Sequence, residues 1–223
     1  MNKSVIGVIG LIITIIVIVV VAGIAIYINT DNNHEENTNS AENTNMLATE
    51  NTIGTENNNT INSKNKILVV YFSAQNHTKS VAERIAKNLN ADIFEIVPED
   101  VYTSDDLNWN NSNSRVSKEH DDEFLRNVKL KNTKVNNWEE YDTILIGYPI
   151  WWGIAAWPVN TFVKENNFEG KTVIPFCTSA SSSLGQSGEL LQKEANSGNW
   201  KEGHRFSSSA SDSDIQKWTD SIK

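Results

Sequence analysis

The chain has 223 residues, a formal net charge of −9 and one cysteine, Cys177. The acidic balance argues against nucleic acid as a partner, because binding a phosphate backbone requires clustered lysine and arginine. One cysteine excludes an intramolecular disulfide and a CxxC pair, and the four histidines lack metal-ligand spacing. We therefore expect no metal site, and we expect Cys177 to be a small buried residue.

The first element is a predicted membrane anchor over residues 5–28. This stretch carries no charge, and as a helix it would be about 36 Å long, enough to cross a bilayer. A cleaved signal peptide has a shorter apolar region, and a buried core helix would need more protein around it. Lys3 precedes the stretch and the next lysine or arginine is Lys64, so the positive-inside rule predicts a single-pass protein whose remaining chain is extracytoplasmic.

The second element is a linker over residues 29–65. It is rich in asparagine, threonine and glutamate and has almost no apolar side chains. Such a composition cannot bury enough surface to offset the entropy of ordering, so the sequence predicts a disordered tether.

The third element is a domain over residues 66–223, where apolar runs alternate with helical patterns. The predicted strands cover residues 66–72, 91–97, 143–148, 171–177 and 200–206. The predicted helices cover residues 78–90, 157–165, 187–195 and 212–222, with a helical stretch near 117–126 inside a long polar connection. This alternation predicts an α/β domain with a doubly wound parallel sheet. Ligands bind such sheets beyond the carboxyl ends of the strands.

The loop after the first predicted strand, residues 73–78, reads Ser-Ala-Gln-Asn-His-Thr. It contains neither GxGxxG nor GxxxxGK[ST], so dinucleotide and P-loop nucleotide sites are not predicted there. A turn rich in hydroxyl and amide groups at a helix N-terminus suits a phosphate group. Ordinary capping of the helix by Asn76 or Thr78 is the structural alternative.

Two further loops follow the third and fourth predicted strands. Trp151 and Trp152 lie beside Gly153, and adjacent aromatic rings at a strand end suit stacking on a planar heterocycle. A helix–sheet contact or a protein-docking patch would also use tryptophan. The loop over residues 178–186 offers small residues and backbone donors for the polar edge of a ring, although a flexible serine-rich connector would have the same composition.

The chain resembles a bacterial subfamily of the flavodoxins in four segments: YFSAQNHTK, SNSRVSKEHDD, GYPIWWG and PFCTSASSSLGQS. The resemblance covers residues 66–223 and implies FMN as cofactor and a five-stranded sheet in the order 2-1-3-4-5. By motif position, the FMN phosphate would be held by Ser73, Gln75, Asn76, His77 and Thr78. The isoalloxazine ring would be flanked by Pro149, Ile150, Trp151, Trp152 and Gly153, with Thr178, Ser179 and Gly185 near its edge.

The sequence departs from the family pattern at two places. The family usually has glycine where Asn76 stands, and asparagine tolerates positive φ better than most residues. The family often has Arg-Pro where this chain has Arg126-Asn127, which affects only a loop.

The resemblance implies an electron-transfer protein that exchanges electrons with partner proteins or small acceptors. Because the flavin would carry the chemistry, no catalytic acid, base or nucleophile is expected from the protein. Two alternatives stay open, since this fold hosts several functions. One is an FMN-dependent NAD(P)H:acceptor oxidoreductase of the quinone-reductase type, whose Arg115 and Lys118 region would bind a cofactor or quinone near the ring. The other is a flavin-free binding module.

Overall fold

The structure is a computed structural model that describes residues 66–223. The predicted anchor over residues 5–28 and the predicted linker over residues 29–65 lie outside the described residues. Within residues 66–223, no helix combines the length and the apolar character needed to cross a membrane.

Residues 66–223 form a sheet with helices on both faces. The strands are β1 (Lys66–Tyr71), β2 (Asp92–Glu95), β3 (Tyr141–Trp151), β4 (Ile154–Ala155), β5 (Thr172–Ser179), β6 (Asn199–Trp200) and β7 (His204–Ser207). The main path runs β2-β1-β3-β5-β6, and all of its pairs are parallel. β7 also pairs with β5 in parallel, and β4 forms an antiparallel pair with the end of β3.

The predicted fifth strand over residues 200–206, and with it a simple 2-1-3-4-5 order, is wrong, because the strand is divided into β6 and β7. The Lys201 N–H donates to the Val173 carbonyl at 2.8 Å. In a strand, the backbone N–H and C=O groups of alternate residues point toward the same neighbouring strand. The backbone of Pro175 therefore points toward the fifth strand, as that of Val173 does. Because proline has no N–H, it cannot donate a hydrogen bond to that strand. Between Val173 and Phe176 the chain advances three residues, whereas the paired chain advances four, from Trp200 to His204. The extra residue forms a bulge.

The helices are α1 (His77–Leu89), α2 (Arg115–Asp121), α3 (Trp157–Glu165), α4 (Ser187–Ala195) and α5 (Asp212–Ser221), with short 3₁₀ turns at Glu123–Arg126 and Trp138–Glu140. The bounds of α3 and α4 agree with the sequence prediction residue for residue. Alternate β1 residues belong to separate buried clusters. Leu68 and Val70 share one with α3 and α4, and Val69 and Tyr71 share the other with α1 and α5. The sheet is therefore covered on both faces, as a doubly wound fold requires.

Candidate functional site

A cavity of about 550 Å³ lies at the carboxyl ends of β1, β3 and β5, within the size range of small-molecule sites. Ten of the predicted site residues line it: Ser73, Gln75, His77, Thr78, Pro149, Ile150, Trp151, Trp152, Thr178 and Ser179. Six other residues also line it: Ala74, Leu107, Trp109, Val116, Ala180 and Ser208. The predicted residues Asn76, Gly153 and Gly185 are not in the lining.

The first loop presents an uncapped helix N-terminus. Asn76 adopts the left-handed conformation, with φ 64°, and its side chain makes no capping hydrogen bond. Asparagine thus occupies the conformation that glycine adopts most easily. The first turn of α1 contains no acidic residue, so its free N–H groups and the helix dipole favour an anion. Capping by Asn76 or Thr78, the structural alternative, is not what the structure shows.

Ser73 is the clearest polar feature of this loop. Its Oγ is buried and has no hydrogen-bond partner within the described chain. A buried hydroxyl without a partner costs free energy. Thr78 and Thr178, by contrast, share a buried hydrogen bond with their Oγ1 atoms 2.8 Å apart, which joins the first loop to the third. The chain therefore leaves the Ser73 hydroxyl without a partner, which a ligand oxygen in the cavity would supply.

The two adjacent tryptophans have different environments. Trp151 packs edge-on against Phe72, with ring centroids 5.7 Å apart, and against Tyr102 at 5.1 Å. Trp152 is 42% exposed and stacks on His120, with centroids 4.5 Å apart and an interplanar angle of 24°. Trp151 is thus a fixed wall of the cavity, whereas Trp152 keeps accessible aromatic surface.

Gly153 has a local structural role. β3 runs three residues beyond the predicted strand end, because Ile150 and Trp151 pair with β4. The two residues between the strands, Trp152 and Gly153, both have positive φ, 46° and 81°, which is the pattern of a type I′ turn. Gly185 lies beside this turn, since a Cβ on it would be 3.6 Å from the Gly153 carbonyl oxygen.

Arg205, which the sequence analysis missed, fixes the third loop. Its Nε donates to Ser179 Oγ at 3.0 Å, and one terminal nitrogen donates to the carbonyls of Ser179 (2.9 Å) and Ala180 (3.0 Å). The Ser179 hydroxyl in turn donates to the Ser182 carbonyl. Ser179 therefore uses its hydroxyl inside the loop. In sequence, Arg205 appeared only as one residue of a predicted strand.

Arg115 is bound within the protein. Its Nε donates to Glu119 Oε1 at 2.7 Å, a terminal nitrogen donates to the Asp100 carbonyl at 2.7 Å, and the guanidinium lies 3.9 Å from the Tyr102 ring centre. Neither Arg115 nor Lys118 is in the cavity lining. The structure therefore does not bring these two side chains into the cavity.

Cys177 is fully buried in β5, and this burial raises its pKa to about 12. We expect its thiol to react with Ellman's reagent about a thousandfold more slowly in the native chain than in the unfolded chain, because the thiolate fraction falls tenfold per pKa unit. The measurement is the absorbance of the released product in buffer and in urea. A Cys177→Ser variant gives the background, and similar rates in both solvents would mean that the thiol is accessible.

A family model and several solved structures are similar to this chain. The sequence model of a family described as Flavodoxin matches residues 66–222. A candidate flavoprotein from Bacteroides eggerthii is 43% identical, over 70% of this chain and 97% of that chain, with a TM-score of 0.63. Another from Bacteroides uniformis is 40% identical over the same shares, with a TM-score of 0.64.

A flavoprotein from Lactobacillus acidophilus, solved in complex with FMN, is 26% identical over 70% of this chain and 99% of that chain, with a TM-score of 0.50. Among curated proteins, none matches the sequence.

Proposed function

We propose that this chain, which belongs to the flavodoxin family, binds FMN in the cavity at the strand ends and transfers electrons. The observation that carries this proposal is one cavity with two kinds of lining. Near the uncapped N-terminus of α1 it offers the unpartnered Ser73 hydroxyl, and elsewhere it is lined by Trp151 and Trp152. A ligand with a phosphate at one end and a planar aromatic ring at the other matches both kinds.

The residues of the chain would bind and orient the cofactor. Ser73 and the first N–H groups of α1 would donate to the phosphate, and Trp152 would contact the ring with its exposed surface. The Thr78–Thr178 hydrogen bond fixes the phosphate loop relative to the third loop. Bound FMN supplies one- or two-electron transfer, so no side chain of the protein needs to act as an acid or base.

Two observations favour an electron carrier over the alternatives. Arg115 is bonded to Glu119 and Asp100 rather than available to a second substrate. The left-handed Asn76 keeps the phosphate loop in the turn that glycine would form, which weakens the reason to suppose that the flavin has been lost. The Lactobacillus acidophilus relative, solved in complex with FMN, likewise supports the presence of a flavin.

The proposed function includes membrane attachment. The uncharged apolar stretch over residues 5–28 would anchor the chain, and residues 66–223 would lie on the extracytoplasmic side because Lys3 precedes the stretch. Redox proteins or small electron acceptors there would be the partners. We expect protease treatment of whole cells to remove the domain. A domain that stays intact in whole cells and is cut only after the membrane is permeabilised would refute the outward orientation.

The deciding experiment is a titration of the purified full-length chain with FMN, followed by flavin fluorescence. We expect saturable binding with quenching, because stacked aromatic rings quench flavin emission. Riboflavin, which lacks the phosphate, is the matched control and should bind more weakly. Absence of FMN binding would refute the cofactor assignment and favour a binding module.

Replacing Ser73 with alanine should raise the FMN dissociation constant about 10- to 150-fold, because a hydrogen bond to a charged group is lost. Riboflavin binding should hardly change, since it does not use the phosphate loop. The cofactor-free variant should be at least as stable as the parent, because a buried unpartnered hydroxyl is removed. Isothermal calorimetry measures the affinities. The exposed Ser112→Ala is the control, and equal FMN affinity for both variants would exclude Ser73 from the phosphate site.

A further inference from the structure

Trp109 differs from the other tryptophans of the chain. All seven lie in the described part, and six of them pack a ring against another aromatic ring: Trp138, Trp151, Trp152, Trp157, Trp200 and Trp218. Trp109 has no such partner among residues 66–223, is 68% exposed, and lines the candidate site. Its indole is thus a large apolar surface at the cavity, unused by the protein itself.

The segment that carries Trp109 is held in place by hydrogen bonds. The Trp109 N–H donates to the Leu107 carbonyl at 2.9 Å. Asp106 accepts from the backbone and the hydroxyl of Thr103 at 2.9 and 2.7 Å, and its carbonyl accepts from the Val116 N–H at 3.0 Å. The backbone around Trp109 is therefore ordered by hydrogen bonds within the segment.

Two neighbours from the same segment also contribute apolar surface to the cavity. Leu107 and Val116 line it together with Trp109, and Val116 is 2% exposed. These three residues come from the long connection after β2, whereas Trp151 and Trp152 come from the end of β3. The cavity therefore has apolar lining from two separate parts of the chain.

We propose that Trp109 stacks on the planar ring of the bound cofactor as a second aromatic contact, in addition to the tryptophans at the end of β3. This inference rests on the proposed function and assigns a role to a segment that the sequence analysis treated as a polar connection. Trp109 lines the cavity, and a tryptophan has only two side-chain torsions to fix when a ring stacks on it, so the contact contributes to affinity. Contact with Trp109 also removes part of the ring from water.

The test compares FMN and riboflavin affinity of the full-length chain and of its Trp109→Ala and Trp109→Phe variants. We expect Trp109→Ala to raise both dissociation constants about 5- to 100-fold, because stacking of a ring on an aromatic side chain has that magnitude. Trp109→Phe should retain most of the affinity. The equal loss for the two flavins distinguishes a ring contact from a phosphate contact.

Phe124→Ala is the matched control, because Phe124 is 93% exposed and does not line the cavity. It should bind FMN like the parent chain. Unchanged FMN affinity in Trp109→Ala, with normal binding by the parent, would overturn this inference and leave the proposed function intact. Absence of binding by the parent would overturn both. Thermal unfolding of each variant by circular dichroism identifies a loss of folding, in which case Trp109→Phe decides the question.

Discussion

Replacing Glu119 with alanine is expected to lower the free energy of unfolding by about 3 kcal/mol, at the lower end of the cost of breaking a buried ion pair, because Arg115 is partly exposed. Glu119 is 4% exposed and accepts hydrogen bonds from Tyr102 Oη and Arg115 Nε, both at 2.7 Å. Burial and the Glu119 carboxylate raise the pKa of Tyr102, so its hydroxyl stays protonated and donates. Without Glu119, the buried Tyr102 hydroxyl loses its acceptor, and the Arg115 guanidinium keeps only the Asp100 carbonyl and the Tyr102 ring.

Urea denaturation of the full-length chain measures this effect. Glu123→Ala is the matched control, because Glu123 pairs with Arg126 at 3.1 Å but its side chain is 83% exposed. An exposed pair contributes at most about 1 kcal/mol. Glu119→Gln keeps an acceptor for Tyr102 and should fall between the two. Equal unfolding free energies for the alanine variants would show that the buried network contributes no more than a surface pair.

The same substitution should also weaken FMN binding. Tyr102 packs on Trp151 with ring centroids 5.1 Å apart, and Arg115 begins the helix that carries Val116 to the cavity. The network of Tyr102, Arg115 and Glu119 therefore fixes one side of the site as well as one part of the fold. FMN titration of Glu119→Ala under conditions where it is folded would measure this second effect.

Gly147→Ala is expected to cost about 3 kcal/mol or more, because it overpacks the centre of the sheet. Gly147 pairs with Phe176 across β3 and β5. A Cβ at Gly147 would lie 2.2, 2.5 and 2.9 Å from three ring atoms of Phe176. Phe176 is fully buried and packs against Phe206 and Trp218, so its ring cannot move away without displacing other side chains.

The control for this prediction is Gly170→Ala. Gly170 has φ 75° and open space where a Cβ would be, so alanine there costs only backbone strain, about 1–2 kcal/mol. The double variant Gly147→Ala/Phe176→Leu removes the colliding ring atoms. Its loss of unfolding free energy should be smaller than the sum of the losses in the two single variants. Thermal and urea unfolding of the parent, of the three single variants (Gly147→Ala, Phe176→Leu and Gly170→Ala) and of the double variant measure these effects. Strictly additive effects would contradict the steric explanation.

Much of this fold could be predicted from local pattern. Helices α3 and α4 have the predicted bounds because their apolar periodicity is regular and Pro158 lies in the first turn of α3. The fifth strand could not be predicted in the same way. Its division depends on which neighbour Pro175 faces in the sheet, and this is set by register rather than by the residues of the fifth strand themselves.

The site shows the same limit. The strand-end loops could be identified because parallel topology places them together. Leu107, Trp109 and Val116 could not, because they lie in a polar connection without periodicity and reach the cavity through long-range contacts such as that of Tyr102 with Glu119. The resemblance predicts that Gly153 flanks the ring, although the type I′ turn alone accounts for a glycine there.

The division of the fifth strand also bears on solubility. An exposed edge strand is a template for pairing with another chain, and long flat edges promote aggregation. In the described part of the chain, one edge of the sheet is β2, with four residues, and the other consists of β6 and β7, with two and four residues. No edge segment is longer than four residues, and the bulge opposite Pro175 separates the two short pieces. Proline in an interior strand thus protects the neighbouring edge from intermolecular β-sheet formation.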